Sequence, residues 1–139
     1  MRTLVVFLGS RIAGDDSAGY AVYERIKEKF SARTLYLGTD LFRLYGLYEG
    51  EERLVLVDAV HGASGVVHLK DNEIFVIDNR SEGAHFLSLV EAVKILRAVM
   101  SSFPREIHLV GIPAKSVREV TYDEDVLNEA VQMLGTIVK

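Results

Sequence analysis

Leu54-Val55-Leu56-Val57-Asp58-Ala59 is an apolar run closed by a carboxylate. A strand with one wet face alternates polar and apolar side chains, whereas a run apolar at every position belongs to a strand covered on both faces. Leu4-Val5-Val6-Phe7-Leu8-Gly9 has the same character, and so does Glu106-Ile107-His108-Leu109-Val110-Gly111-Ile112. The stretches between them carry helical periodicity. Residues 16–30 place Ala18, Val22, Ile26 and Phe30 on one side and Glu24, Lys27 and Glu28 on another. Residues 83–101 place Leu89, Ala92, Leu96 and Val99 on an inward stripe, with Lys94, Arg97 and Ser101 outward. A last helix starts near Thr121-Tyr122-Asp123-Glu124, which has the form of a capping box, and buries Leu127, Ala130, Val131, Leu134 and Ile137. Residues 33–39 read as a second strand and 40–49 as a short aromatic-rich helix. Residues 66–69 and 74–77 read as a hairpin turning at Asp71-Asn72. Strands alternating with helices, and apolar on both faces, predict an α/β fold: a three-layer α/β/α sandwich. Its sheet is mostly parallel, mixed and twisted, of about five strands, with the hairpin giving one antiparallel edge.

In open sheets of this kind ligands bind outside the carboxyl ends of the strands. Asp15 and Asp16, in Gly14-Asp15-Asp16-Ser17-Ala18-Gly19, follow the first strand at that edge, and Asp58 ends the third. His85 heads the inward stripe of the long helix, whose start falls at the same edge. Two acids and an imidazole meeting there make a hard-to-borderline metal site or an acid/base site. Each member also has a plainer role. Asp15 or Asp16 suits a helix cap, and His85 suits a hydrogen-bonded histidine at a helix start. Asp58 resists that treatment, because a carboxylate ending an apolar strand is costly unless paired or placed at a ligand edge. His61 reads as a supporting or solvated loop residue, and His68 and His108 as structural residues within strands. The site reading rests on convergence.

Composition narrows the field. The chain has 139 residues, read as a single domain over 1–139, and a net charge of −4, which argues against nucleic acid as the partner. It has no cysteine, which removes disulfides, thiolate metal sites and a cysteine nucleophile and points to a reducing compartment. The apolar N-terminal run is too short for a signal segment and reads as a strand; no run approaches a membrane span. The expected setting is the cytoplasm, without membrane insertion, and the polar helical exterior predicts a monomer. Dinucleotide and phosphate-loop glycine motifs, the serine-hydrolase elbow and the zincin H-E-x-x-H are all absent.

Taken in order, these residues resemble the hydrogenase maturation endopeptidases, which trim the C-terminal tail of the NiFe-hydrogenase large-subunit precursor. The resemblance is carried by Leu8-Gly9, the Gly14-Asp15-Asp16-x-x-Gly19 loop, Gly38-Thr39 and Val57-Asp58-Ala59. His85 with Leu89 and Leu96 follows, then Phe103-Pro104, Leu109-Val110-Gly111-Ile112 and the helix from Asp123. It implies that Asp16, Asp58 and His85 bind nickel already loaded into the precursor, with thiolates supplied by the substrate; Cd2+ or Zn2+ are expected substitutes. It implies further that Asp15 orients water or a ligand and that Gly38, Thr39 and Asp40 engage the substrate. The chain departs from the pattern at Gly9-Ser10, at Tyr36-Leu37 before Gly38, and at Gly83-Ala84 before His85. Ligand positions are kept while substrate-facing loops differ. Besides a peptidase, two readings stay open: a non-cleaving homologue that senses nickel-loaded precursor in assembly, and an unrelated α/β hydrolase or metal-binding enzyme.

Overall fold

The computed structural model describes residues 1–75, 79–116 and 118–139, with the backbone alone over 79–88. Five strands form one sheet: β1 (Thr3–Leu8), β2 (Arg33–Gly38), β3 (Arg53–His61), β4 (Val67–Lys70) and β5 (Glu106–Ala114), in the order β2-β1-β3-β5-β4. β2, β1, β3 and β5 run parallel, and β4 pairs antiparallel on β5. The helices are α1 (Ala18–Ile26), α2 (Leu44–Leu47), α3 (Asn72–Phe75), α4 (Asn79–Val99) and α5 (Glu124–Ile137).

The solid apolar runs explain the layering. Every residue of β1 is buried. Alternate positions then feed two separate cores. Leu4, Val6, Leu54, Leu56 and Leu109 face α4, which buries Leu89, Val90, Ala92, Val93 and Leu96 against them. Val5, Phe7, Val55, Val57, Val110 and Ile112 face the other way. There α1 contributes Ala18, Val22 and Ile26, and α5 contributes Leu127, Ala130, Leu134 and Ile137. The architecture is the α/β/α sandwich with a mixed, mostly parallel sheet.

Some local expectations change. The predicted hairpin is not formed within the described residues: β4 takes β5 as its partner, and Asn72–Phe75 is a helical turn with Ile74 buried in the α4-side core. Asp71 causes the diversion. It sits at φ 49°, its N–H donates to the Ile107 carbonyl and its carboxylate accepts the Ile107 N–H at 2.9 Å. Residues 76–78 of the expected second arm lie outside the described residues. Val99, assigned to the inward stripe, is 56 % exposed. The capping box is replaced by a simpler cap, in which Asp123 accepts the Val126 N–H at 3.0 Å, because Thr121 is engaged elsewhere. The 40–49 helix resolves into a 3-10 turn over Leu41–Arg43 followed by the single turn of α2.

Candidate functional site

β1 and β3 lie side by side in parallel register, Phe7 opposite Val57, so the segments leaving them emerge at one edge of the sheet. Gly19 fixes how close they come. A β-carbon at Gly19 would run into the Leu8 carbonyl oxygen and sit 3.2 Å from that of Val57, so only glycine lets the start of α1 rest on both strand ends. The 3-10 turn Gly14–Ser17, carrying Asp15 and Asp16, is thereby held against β3, the strand that carries Asp58 and continues to His61.

Neither Asp15 nor Asp16 caps a helix; the N-termini of the 3-10 turn and of α1 have no side-chain cap. Asp16 accepts the Ser10 N–H at 2.9 Å and stands beside Gly9, which has a φ of 113° and where a β-carbon would also run into the Asp16 carbonyl oxygen. Asp58 is 2 % exposed, and one of its oxygens accepts the N–H of Ala59 at 2.8 Å. It lines a cleft of about 170 Å³. Gly9, Gly38, Thr39 and Asp40 line the same cleft, with apolar walls from Phe42, Leu89 and others. The Gly9 N–H donates to the Gly38 carbonyl at 2.8 Å, which ties the β1 and β2 exits together. Asp40 also caps the following 3-10 turn, accepting the Phe42 N–H at 3.0 Å.

Asp15 lies in the same turn as Asp16, with its side chain turned to the β5–α5 loop. It is fully buried, and both carboxylate oxygens are occupied by one loop. That loop supplies the N–H groups of Lys115 (2.7 Å), Ser116 (3.1 Å) and Thr121 and the Thr121 hydroxyl. Burial pushes its pKa up, but these donors pull harder and hold it at about 2. With these four donors the carboxylate stitches the β5–α5 loop to the turn bearing Asp16. Sequence alone offered no sign of this, since the partners lie about a hundred residues away.

His85 falls in α4, one helical turn before Leu89, and its side chain lies outside the described residues. Among the described residues no group of three histidines or acids is gathered to hold a metal. His68 and His108 stand apart on β4 and β5. Their rings hydrogen-bond at 2.7 Å and His108 continues to Glu106 at 2.6 Å, a pairing of strands rather than part of the cleft. Arg11 went unnoticed in the sequence. Its guanidinium lies over the rings of Tyr20 and Tyr36 at the same edge.

Chemically, the rim offers carboxylate oxygens in a partly apolar cleft, beside the Gly38–Asp40 loop. No described helix is long and apolar enough to cross a membrane.

Comparison with known proteins gives the family. A family model described as hydrogenase maturation protease (HycI) matches residues 20–139, which takes in the Gly38–Asp40 loop, Asp58 and His85. Protein FrxA of Pyrococcus furiosus is 35% identical over 106 residues, covering 73% of this chain and 77% of that protein. The NiFe-hydrogenase maturation protease HybD from Thermococcus kodakarensis superposes over 100% of both chains with a TM-score of 0.82 and 33% identity. That alignment includes the Asp15–Asp16 turn, which precedes the family-model match. The maturating endopeptidase HybD of E. coli shares the fold at a TM-score of 0.77 and 22% identity, over 99% of this chain and 91% of its own. The chain belongs to the hydrogenase maturation protease family, and it is a peptidase.

Proposed function

We propose that this protein removes the C-terminal extension of a NiFe-hydrogenase large-subunit precursor, acting on precursor that already carries nickel. The reading is carried by one observation: Asp58 lies in the same cleft as the Gly38–Asp40 loop, with Asp16 on the adjoining strand exit. A site built to act on a peptide near a metal needs both elements side by side, ligands for the ion and backbone groups for the chain.

In this reading the nickel is part of the substrate. Asp16, Asp58 and His85 complete a coordination sphere begun by the precursor's thiolates; carboxylate and imidazole both suit a borderline ion. The ion then polarises the scissile carbonyl or lowers the pKa of a water at the cut. Burial of Asp58 favours the encounter, because an anion in a poorly solvated cleft attracts a cation more strongly than one in water. Thr39 and Asp40 flank the path of the extended chain. Asp15 acts one step back, keeping the Asp16 turn against the β5–α5 loop. Generic peptides bring neither metal nor docking surface, so turnover on them should be negligible. Such an enzyme works where the precursor is assembled, in the cytoplasm.

The test is mass spectrometry of nickel-loaded precursor incubated with wild-type protein, Asp58→Asn and His85→Ala. The expected result is loss of the C-terminal tail with wild type alone, and only from nickel-loaded precursor. Tail removal by His85→Ala at the wild-type rate would remove the histidine from the machinery. An intact precursor held tightly by the wild type would instead identify a sensor.

A further inference from the structure

Arg11 lies between Ser10, whose N–H holds Asp16, and the turn that bears Asp16 itself. Its side chain is exposed, yet it is held. The guanidinium carbon sits 4.9 Å from the centroid of the Tyr20 ring and 5.5 Å from that of Tyr36. The platform is firm in its turn. The two tyrosine rings pack edge to face at 4.9 Å, one from α1 and the other from β2, and the Tyr36 hydroxyl donates to the carbonyl of Gly9, a cleft residue.

Arg11 also turns one edge toward the Tyr36 hydroxyl and lies in the field of Glu24, while the rest of its fork of N–H groups is left for a planar acceptor. Among the described residues no carboxylate stands within ion-pair distance of Arg11. An exposed arginine ordinarily loses much rotamer freedom on binding a partner; here the tyrosines have already removed it. The neighbouring 115–121 loop, joined to this one through Asp15, adds the exposed cations Lys115 and Arg118 against the single acid Glu119.

We propose that Arg11 is a specificity-determining residue that receives a carboxylate of the precursor segment entering the cleft. It binds that carboxylate bidentately through in-plane N–H groups while its face rests on Tyr20 and Tyr36. The proposal rests on the precursor being this protein's substrate, and it names a feature of that substrate: an acidic side chain near the cut, or the terminal carboxylate of the tail.

The experiment measures kcat and KM of wild type, Arg11→Ala and Arg11→Lys on nickel-loaded precursor. Three precursor forms are used: unaltered, with each flanking Asp or Glu changed to its amide, and with one residue added after the tail. Arg11→Ala should raise KM about tenfold, the scale of a charge-assisted hydrogen-bonded pair, with little change in kcat. Arg11→Lys should recover part of the loss, since it keeps the charge but not the fork. One altered precursor should raise KM for wild type but not for Arg11→Ala, and which one does so separates a side-chain carboxylate from the terminal one. An unchanged KM in Arg11→Ala overturns the proposal, as does a loss that every precursor shows equally in both proteins. If wild type binds precursor without cutting it, the same comparison is read in Kd. An Arg11-dependent Kd then supports Arg11 while removing the cleavage reading. Neither binding nor cleavage by wild type overturns both.

Discussion

Asp15 and Asp58 are both buried carboxylates, one in the turn that follows β1 and the other within β3, and the difference in their surroundings separates their roles. Asp58 faces a cleft, whereas Asp15 faces four donors from a single loop. Because the folded pKa of Asp15, about 2, lies below the ordinary 3.8, its ionised form stabilises the fold. That contribution is complete above the ordinary carboxyl value and is lost as pH falls through the folded one. It amounts to about 2 kcal/mol. Asp15→Asn should therefore be less stable than wild type by about that much at neutral pH, and the gap should close as pH approaches 2. Urea denaturation of the two proteins across this range checks the prediction; a gap that stays constant with pH would show that the charge of Asp15 contributes nothing. At this scale the sequence was informative only where local cost spoke. Asp58 stood out because an acid closing an apolar run needs a reason. The partners of Asp15 and the aromatic seat of Arg11 are made by residues far apart in the chain, and no local pattern encodes them.

Elements were legible in proportion to their length and regularity. β1, β3, β5 and α5 carry enough periodic apolar residues to declare themselves, and the two-core packing follows from them. Ile74 and Phe75 did not, because a short apolar run suits a helical turn as well as a strand. Asp71, at positive φ with its side chain on Ile107, turned the chain out of the sheet after β4. The junction of α1 with the strands gives a prediction of this scale. Glycine to alanine within a helix is ordinarily stabilising by roughly 0.5–1 kcal/mol. At Gly19 the sign should reverse, since the new methyl would meet backbone carbonyls of Leu8 and Val57, which cannot rotate away. Overpacking of this kind costs about 1–3 kcal/mol. Gly19→Ala should lower the melting temperature and also slow processing, because relief of the clash lifts the turn carrying Asp16 from the strand carrying Asp58. A melting temperature equal to or above wild type would mean that the close approach at Gly19 is not what seats the turn.

For the molecule as a whole, the folding energy and the proposed chemistry come from different places. Both cores are apolar, and the α4-side core walls the cleft through Leu8, Leu41, Leu89 and Ala92, while the proposed chemistry belongs to the carboxylates of Asp16 and Asp58. A fold secured in this way does not need an ion at the cleft to hold its strands together, unlike small domains whose metal supplies the folding energy. If nickel arrives with the precursor, the free protein offers the ion too few donors for strong binding, because the thiolates lie on the partner. Linkage then fixes what removal of metal should do. A ligand raises stability according to its concentration over its dissociation constant, so a weakly held ion shifts the melting temperature little. Prolonged treatment of the free protein with a chelator should leave its melting temperature and circular dichroism unchanged, and should leave it competent once nickel-loaded precursor is supplied. Chelation of the precursor before its nickel is enclosed should instead abolish processing. The decisive comparison is the crossed one: chelated protein with loaded precursor against untreated protein with stripped precursor. Activity only in the first mixture places the metal on the substrate. Activity only in the second would show that the protein carries its own ion, and the cleft would then be a resident metal centre instead of the completing half of one.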